Sequence, residues 1–304
     1  NAGTQLGECL ESIVRAERGN FSLHRVVVVD NASADGSADA LEGVGLPLQF
    51  IRNEQNRGFG AACNQGTQGS SADYILFLNP DTRLFSDSLS RSLDVFEKSP
   101  RDVGILGIQL VDGKDRVSRD CARFPSLGQE LSKIFGLDRL LPGIFKGHFM
   151  REWDHGSTKY VDQVMGAFFL VRRDLFELLH GFDERFFVYY EEVDLSLRAA
   201  KSGFKSLFFA GCRVYHRGGG TSEQVKAIRL FYFLRSRILY GFKHFSPASA
   251  LALMIATLVP EFVSRLVLGA VRLSGREILE TVRGYGMLWT ALPGILRTAK
   301  GGDV

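Results

Sequence analysis

Apolar residues gather in short unbroken runs, and between the runs they recur at every third or fourth position. Tyr74-Ile75-Leu76-Phe77-Leu78 has no polar interruption and stops at Asn79-Pro80-Asp81. Such a run suits a strand covered on both faces in the middle of an α/β sheet, and Pro80, with no N–H to give, ends the ladder. Val26-Val27-Val28-Val29 leads in the same way into Asp30-Asn31-Ala32-Ser33, and Leu48 to Ile51 into Arg52-Asn53. Leu6, Cys9, Leu10, Ile13 and Val14 fall on one stripe of a helix over Leu6 to Ala16 that can cover a sheet face. Further helices are expected over Asp35 to Leu41, with Ser33 or Asp35 as cap, over Ala61 to Gln68 and from about Ser86 to Lys98, with a strand near Val103 to Leu110. Strands and helices alternating at this spacing indicate β-α-β units and a mostly parallel central sheet. An α/β domain normally opens on a strand, so one is expected just before Asn1.

Residues 112–160 lose this regularity and read as a lid or an acceptor-side insertion. Order returns with a strand over Val164 to Arg172, a helical turn over Leu175 to Leu179 and a break at Gly181-Phe182-Asp183-Glu184. Glu191, Glu192 and Asp194 then stand at the mouth of an amphipathic helix running to about Ser202. One acid suffices to favour the helix dipole, and three crowded together repel one another, so capping alone does not account for them. Leu207 to Ala210 and Arg213 to Tyr215 are strand-like pieces around Gly211, and His216 ends the α/β pattern.

From Ser222 the texture changes. Arg229 to Phe245 threads aromatic and aliphatic residues with Arg235, Arg237, Lys243 and His244, and Pro247 to Val259 carries no charge. Phe262 to Leu273 resumes after Pro260-Glu261. A bilayer span takes about 20 apolar residues, so each half reads as too short, and helices lying in the membrane interface are expected, with a shallow hairpin around Pro260. Charge agrees with this division. Residues 222–304 hold 11 of the 37 Lys+Arg and 5 of the 34 Asp+Glu, leaving 26 against 29 in the remainder. That excess suits anionic headgroups and is too diffuse for a nucleic-acid footprint. Overall composition, 45% hydrophobic and 23% charged, is that of a folded globular chain. Cys9, Cys63, Cys121 and Cys212 form no C-x-x-C pair, which argues against a zinc site and for a reducing compartment.

Ligands of open α/β sheets gather beyond the carboxyl ends of the strands, where Asn79 and Asp81 stand. Two apart on an extended backbone, their side chains would point the same way, and an amide oxygen with a carboxylate can hold Mg²⁺ or Mn²⁺ against a diphosphate.

Four ordered blocks sharpen this reading: VVVVDNASADGS at Val26 to Ser37, NRGFGAACNQG at Asn56 to Gly66, YILFLNPD at Tyr74 to Asp81, and GFDERFFVYYEEVDLSLRAAKSGF at Gly181 to Phe204, closed by VYHRGG at Gly220. Together they resemble the family 2 glycosyltransferases, in the branch of bacterial rhamnosyltransferases that act on lipid-linked sugars. The resemblance covers roughly residues 1–221. It implies a GT-A type nucleotide-sugar-binding domain there, with residues 222–304 as a helical membrane-interface region. By position, Asn1, Asp30, Asn31, Asn53, Asn56, Gly58, Phe59, Gly60, Asn64 and Asn79 would bind the nucleotide-sugar, and Asp81 with His216 the divalent cation. Glu192 stands where the family places its base, flanked by Glu191 and Asp194. The implied reaction is inverting, metal-dependent transfer of a sugar, rhamnose from dTDP-rhamnose or another sugar from a UDP or GDP donor, to a polyprenyl-diphosphate-linked saccharide. The setting would be cell-envelope polysaccharide synthesis at the cytoplasmic face of the membrane, with the enzyme peripheral. Asn79 replaces the more usual first acid of the metal motif, and Glu192 an Asp, which extends the base by one methylene.

A dinucleotide-binding oxidoreductase competes, because Gly58-Phe59-Gly60 opens a helix about 20 residues before Asp81. The third glycine position is Cys63, however, and the acids at Glu191 to Asp194 would have no role. A non-catalytic scaffold held at the membrane by its basic tail is the other alternative.

Overall fold

The computed structural model describes residues 1–37, 45–141, 143–218 and 226–301. The helix expected over Asp35 to Leu41 lies largely outside them, as does the boundary expected near Thr221. In chain order the elements are α1 (Gln5–Arg15), β1 (Val26–Asp30), β2 (Leu48–Arg52), α2 (Phe59–Thr67), β3 (Tyr74–Leu78), β4 (Thr82–Leu84), α3 (Ser88–Lys98) and β5 (Val103–Val111). There follow α4 (Leu127–Ile134), α5 (Leu137–Leu140), β6 (Lys159–Val161), β7 (Phe168–Arg172), α6 (Arg173–Leu178), α7 (Glu191–Lys201) and β8 (Lys205–His216). The last helices are α8 (Lys226–His244), α9 (Pro247–Ala256), a π turn (Thr257–Glu261), α10 (Phe262–Val271) and α11 (Gly275–Lys300). They form two compact units, one of Asn1–Arg123, Phe149–Glu184 and Glu192–Thr221, the other of Phe124–His148, Arg185–Glu191 and Ser222–Val304.

In the first unit β1 and β2 pair in parallel, and a six-stranded sheet has the order β3-β7-β5-β8-β4, with β6 also on β8. Alternate residues of the central strands enter two separate cores. Leu76, Leu78, Leu106, Ile108, Phe168 and Leu170 pack with Cys9, Leu10 and Ile13 of α1 and Leu89 and Phe96 of α3. Phe77, Ile105, Phe169 and Val171 turn the other way, onto Leu175 and Phe176 of α6 and Leu195 and Ala199 of α7. Two covered faces explain the unbroken apolar runs.

The sheet is mixed, which corrects the expectation of a mostly parallel one: β5–β8 is parallel, while β3–β7, β5–β7, β4–β8 and β6–β8 are antiparallel. An unbroken apolar run reports burial on both faces and carries no information about strand direction. The two pieces expected around Gly211 are one strand, β8. Its register against β5 slips between Ile108↔Phe209 and Gln109↔Arg213, so residues 210–212 are extra on β8. A Cβ on Gly211 would strike the Phe209 ring.

The second unit is helical. α11 packs along α8, burying Tyr285 and Leu288 completely. α4 lays Leu127, Leu131 and Ile134 against Leu253 and Ala256 of α9. The two apolar halves do not break at Pro260, as the sequence suggested. A π turn accommodates the proline ring and its missing N–H, and the helix runs from Pro247 to Val271, 25 residues long and apolar enough by length and composition to cross a membrane.

Close packing of the sheet makes one position sensitive. A Cβ built on Gly107 of β5 would lie 2.6 Å from Val164 Cβ, whereas one on Gly113 meets only the Tyr215 ring, at 3.9 Å. Gly107→Ala should therefore lower stability by ~1–3 kcal/mol, read as the urea midpoint, and Gly113→Ala by less than ~0.5 kcal/mol. Equal midpoints for the two variants would contradict this packing.

Candidate active site

At the carboxyl end of β3 the chain turns within four residues. Thr82 donates its backbone N–H and its hydroxyl to the Asn79 carbonyl, at 3.2 and 2.7 Å. Pro80 presets the turn and Asp81 follows it. Asn79 and Asp81 thus sit on a tight turn, and the extended backbone expected for them is absent; the proline that ends the strand also bends the chain.

β4 then pairs with the end of β8 in the register Thr82↔His216, Arg83↔Tyr215, Leu84↔Val214. The Arg83 guanidinium lies over the Tyr215 ring at 4.0 Å, a cation–π contact across the same rungs. His216, remote in sequence, is brought with its Nε2 3.5 Å from Asp81 Oδ1. The Arg217 N–H donates to the Asp81 carbonyl at 3.1 Å. Burial acts to raise the Asp81 carboxyl, but the His216 ring and the N–H groups of Asp81 and Gly218 outweigh it and hold the acid below the ordinary carboxylate range. An ionised carboxylate beside an imidazole offers one oxygen and one nitrogen donor, a set that Mg²⁺ or Mn²⁺ accepts when phosphate oxygens and water complete the shell. Among the described residues no cluster of three His, Cys, Asp or Glu side chains is placed to hold a metal by itself.

Glu192 reaches the same end of the sheet. Leu78 pairs with Phe168, and the Asn79 N–H donates to the Ala167 carbonyl at 3.1 Å, so the Asn79 turn lies beside Gly166-Ala167. The Glu192 carboxyl lies against Gly166, 3.8 Å from where a Cβ would stand. Its Oε2 is buried and has no hydrogen-bond partner. Burial pushes this carboxyl above its ordinary range, against the pull of the N–H groups of Glu192 and Val193 at the helix start. Asp194 has a different place. Fully buried, it accepts from Arg198 Nε at 2.7 Å, and Arg198 in turn donates to the carbonyls of Leu179 and Gly181, tying α7 to the turn after α6. Glu191 is buried.

The residues expected at the nucleotide form a hydrogen-bonded shelf at the ends of β1 and β2. Asn31 Nδ2 donates to the Gly58 carbonyl and Asn53 Nδ2 to Asn31 Oδ1, both at 2.9 Å. Asn53 and Gln65 exchange two further bonds, at 2.9 and 3.0 Å, and Asn56 Oδ1 accepts from the Gly58 N–H. Gly58, at φ +90°, occupies a backbone region closed to most side chains and leads directly into Phe59 and Gly60 at the start of α2. Asp30 is buried and accepts from the Ser33 N–H at 3.0 Å. Asn1 joins the same loop, accepting from the Ala34 N–H at 2.7 Å while its amine donates to Ser33 Oγ. Asn64 points elsewhere: its amide exchanges bonds with the Phe182 backbone, 2.8 and 2.9 Å, and donates to Glu184 Oε1. The Phe59 ring meets Phe182 edge-on.

Sequence reasoning missed Gly166, against which the Glu192 side chain lies, and the half-buried Asp120. Burial pushes the Asp120 carboxyl up against the opposing charges of His216 and His155. No motif marks either residue.

Comparison with known proteins gives the family and the fold. The family model of glycosyl transferase family 2 matches residues 1–179. The chain belongs to this family. It is 28% identical over 232 residues, 71% of its own length and 73% of the relative's, to the N-acetylglucosaminyl-diphospho-decaprenol L-rhamnosyltransferase of Mycobacterium tuberculosis. Over 144 residues it is 29% identical to rhamnosyltransferase WbbL of Escherichia coli, 47% of this chain and 52% of that one. Among solved structures, the mannosyltransferase PcManGT of Pyrobaculum calidifontis, in complex with GDP-Man and Mn²⁺, superposes with a TM-score of 0.53 at 16% identity, over 97% of this chain and 84% of that one. TarS 1–349 of S. aureus with UDP-GlcNAc gives 0.53 at 14% identity, over 98% and 80%. The fold is GT-A, and the chain is a glycosyltransferase.

A raised Glu192 carboxyl sets the direction of the pH response. Only the deprotonated form can accept a proton, so transfer should rise with pH through an apparent pKa above the ~4.3 of a free glutamate. Glu192→Gln should remove that limb and lower kcat by ~10²–10⁴, with donor affinity unchanged. Near-native turnover of the variant would exclude Glu192 as base.

Proposed function

We propose that this glycosyltransferase moves a sugar, rhamnose from dTDP-rhamnose, with inversion onto a polyprenyl-diphosphate-linked saccharide in cell-envelope polysaccharide synthesis. The observation that carries the reading is the meeting, at one end of the β3–β7 pair, of the Asn79 to Asp81 turn and its His216 partner with the Glu192 carboxyl, whose buried Oε2 has no hydrogen-bond partner. Glu192 takes the proton of the acceptor hydroxyl as that oxygen bonds to the anomeric carbon. On the opposite face the bond from this carbon to the diphosphate breaks, and the nucleoside diphosphate leaves. Asp81 and His216 would hold a divalent cation, which when bound supplies positive charge to the diphosphate. The shelf of Asp30, Asn31, Asn53, Asn56 and Gly58 offers amide and backbone groups to the nucleotide. Rhamnose and the lipid-linked acceptor are suggested by the relatives' names, and the Mn²⁺ and nucleotide-sugars of the structural neighbours support the cation and the donor class.

A donor at a hundred times its Kd stabilises a protein by ~2.7 kcal/mol. With dTDP-rhamnose, the wild-type chain should show that gain in thermal unfolding only when Mn²⁺ or Mg²⁺ is present, and Asp81→Ala should show no cation-dependent part. Persistence of the Mn²⁺ effect in the variant would refute the Asp81–His216 assignment.

The second unit supports membrane docking. Leu251, Ile255, Val259, Val263, Val267 and Val271 follow one another at every fourth position and are all exposed, from 48% to 75%. Four residues of α-helix overshoot a full turn by ~40°, so such a stripe would wind around the helix. The π turn at Thr257–Glu261 turns less per residue and offsets the drift in mid-helix. Glu261 and Arg265, the charged residues of this helix, pair with each other, and Glu261 is bonded to Arg237 as well. An apolar stripe beside a net excess of six basic residues (11 − 5) suits an anionic, cytoplasmic bilayer surface on which the enzyme is peripheral. Val259→Glu combined with Val263→Glu should weaken cosedimentation with phosphatidylserine vesicles at least ~10-fold, while salt weakens the wild type only in part. Unchanged pelleting of the double variant would remove this stripe from the docking surface.

A further inference from the structure

The backbone immediately before the candidate base is held in an unusual conformation. Tyr189 and Tyr190 both have left-handed backbones, φ +67° and +72°, a region that bulky side chains seldom adopt and that persists only where the surroundings over-determine it. Here those surroundings belong to the second unit, to which Arg185–Glu191 also belongs. One face of α8 grips the segment along its length. Arg235 Nη1 donates to the Arg185 carbonyl at 2.9 Å, Ser236 Oγ to the Val188 carbonyl at 2.8 Å, and Arg229 Nε to Tyr189 Oη at 3.2 Å. The Phe187 ring stacks on Tyr232 with centroids 4.5 Å apart, Tyr189 meets Phe233 edge-on, and Tyr190 packs between Phe233 and Tyr240.

Tyr190 is tied more deeply still. Its Oη donates to Glu130 Oε1 at 3.0 Å, inside a buried polar chain. Glu130 Oε2 accepts from Arg237 Nη1 at 3.4 Å, and Arg237, 1% exposed, donates to Thr257 Oγ1 at 2.9 Å and to Glu261. The polar chain thus runs from the π turn to the last residue before α7. Hydrophobic packing alone would fix the rings, and the buried charges add a demand for one particular geometry, since any shift leaves a buried charge without its partner. Glu130, Arg237 and Thr257 are not among the residues assigned above to the base, the cation or the nucleotide. What they hold in place is the residue before Glu191-Glu192.

We propose that Tyr189 and Tyr190 are positioning residues for Glu192: the left-handed tyrosine pair, clamped by α8 and by the Glu130–Arg237 charges, fixes the direction in which the chain enters α7 and hence the place of the base. The proposal rests on the reading of Glu192 as base. A flexible entry would let the carboxylate wander by an ångström or more from the acceptor hydroxyl, and misplacement of that size reduces turnover without touching donor contacts.

Two full-length variants test it. Tyr190→Phe keeps the ring and removes the bond to Glu130; Tyr189→Asn keeps a residue that tolerates the left-handed backbone and removes the ring and the Arg229 bond. Each should lower kcat for sugar transfer about 10-fold or more while donor KM stays within about twofold, and each should speed amide exchange at residues 189–196 at least about 10-fold, with α11 unchanged. A purely structural role would lower the unfolding temperature and leave kcat per folded molecule alone. Wild-type kcat in both variants overturns the proposal. Should the wild-type chain transfer no sugar from dTDP-, UDP- or GDP-linked donors, the proposed function fails by that result, and exchange alone decides the clamp: unchanged exchange at residues 189–196 overturns it, and selective acceleration there supports it.

Discussion

Three rungs of antiparallel pairing, Thr82–Leu84 against Val214–His216, hold the candidate site together. The meeting of Asp81 and His216 depends on that short ladder, because the two come from distant parts of the chain. The proline corner sends the chain back into the sheet as β4. The bulge at residues 210–212 lets β8 stay in register with β5 on one side and reach β4 on the other. Once the rungs form, the imidazole and two backbone N–H groups keep the Asp81 carboxyl charged despite its burial. Glu192 has the opposite environment. Burial outweighs the N–H groups of Glu192 and Val193 and pushes its carboxyl toward the neutral form. Two acids at one strand end are thereby driven apart in proton affinity, one toward permanent charge and the other toward proton exchange, which is the division of labour that metal-assisted transfer with a general base requires.

The fold and the strand-end positions of the candidate residues were legible in the sequence to the extent that local chemistry encodes them. The runs at Val26, Tyr74 and Val103 are strands because their side chains are apolar on both faces, and Asp30, Asp81 and His216 stand at strand ends because the apolar runs stop there. Strand direction was not legible. β7 and β5 run antiparallel to each other although both are continuously buried, so the expected parallel sheet is mixed. The Asn79 turn escaped for a related reason: the spacing of two residues fixes a common side only if the backbone stays extended, and Pro80 ensures that it does not. Asn64 has partners that its motif does not announce. It lies in the glycine-rich block expected to cradle the donor, yet its amide is engaged by the Phe182 backbone and Glu184. Gly166 and Asp120 carry no signal at all, since only the fold brings one against Glu192 and the other near His216.

The C-terminal helices present the same contrast between composition and conformation. A charge-free stretch interrupted by proline and glutamate reads as two short segments, whereas the π turn makes them one helix whose charged residues are paired and whose valines face outward. Arg237 and Glu261 look in the sequence like ordinary members of a basic, amphipathic tail. In the structure they form a buried pair, and the excess positive charge available to a membrane surface resides in the other residues of the tail.

Stereochemistry gives the most direct test of the central claim, that one buried carboxylate, Glu192, serves as the base of a single displacement. Asp194 is bonded to Arg198, whereas Glu192 Oε2 has no hydrogen-bond partner. The full chain would be incubated with dTDP-rhamnose, Mn²⁺ and a polyprenyl-diphosphate-linked N-acetylglucosamine, and the new glycosidic linkage examined by NMR for its anomeric configuration. The account predicts the configuration opposite to that of the donor; a product with the donor's own configuration would contradict it.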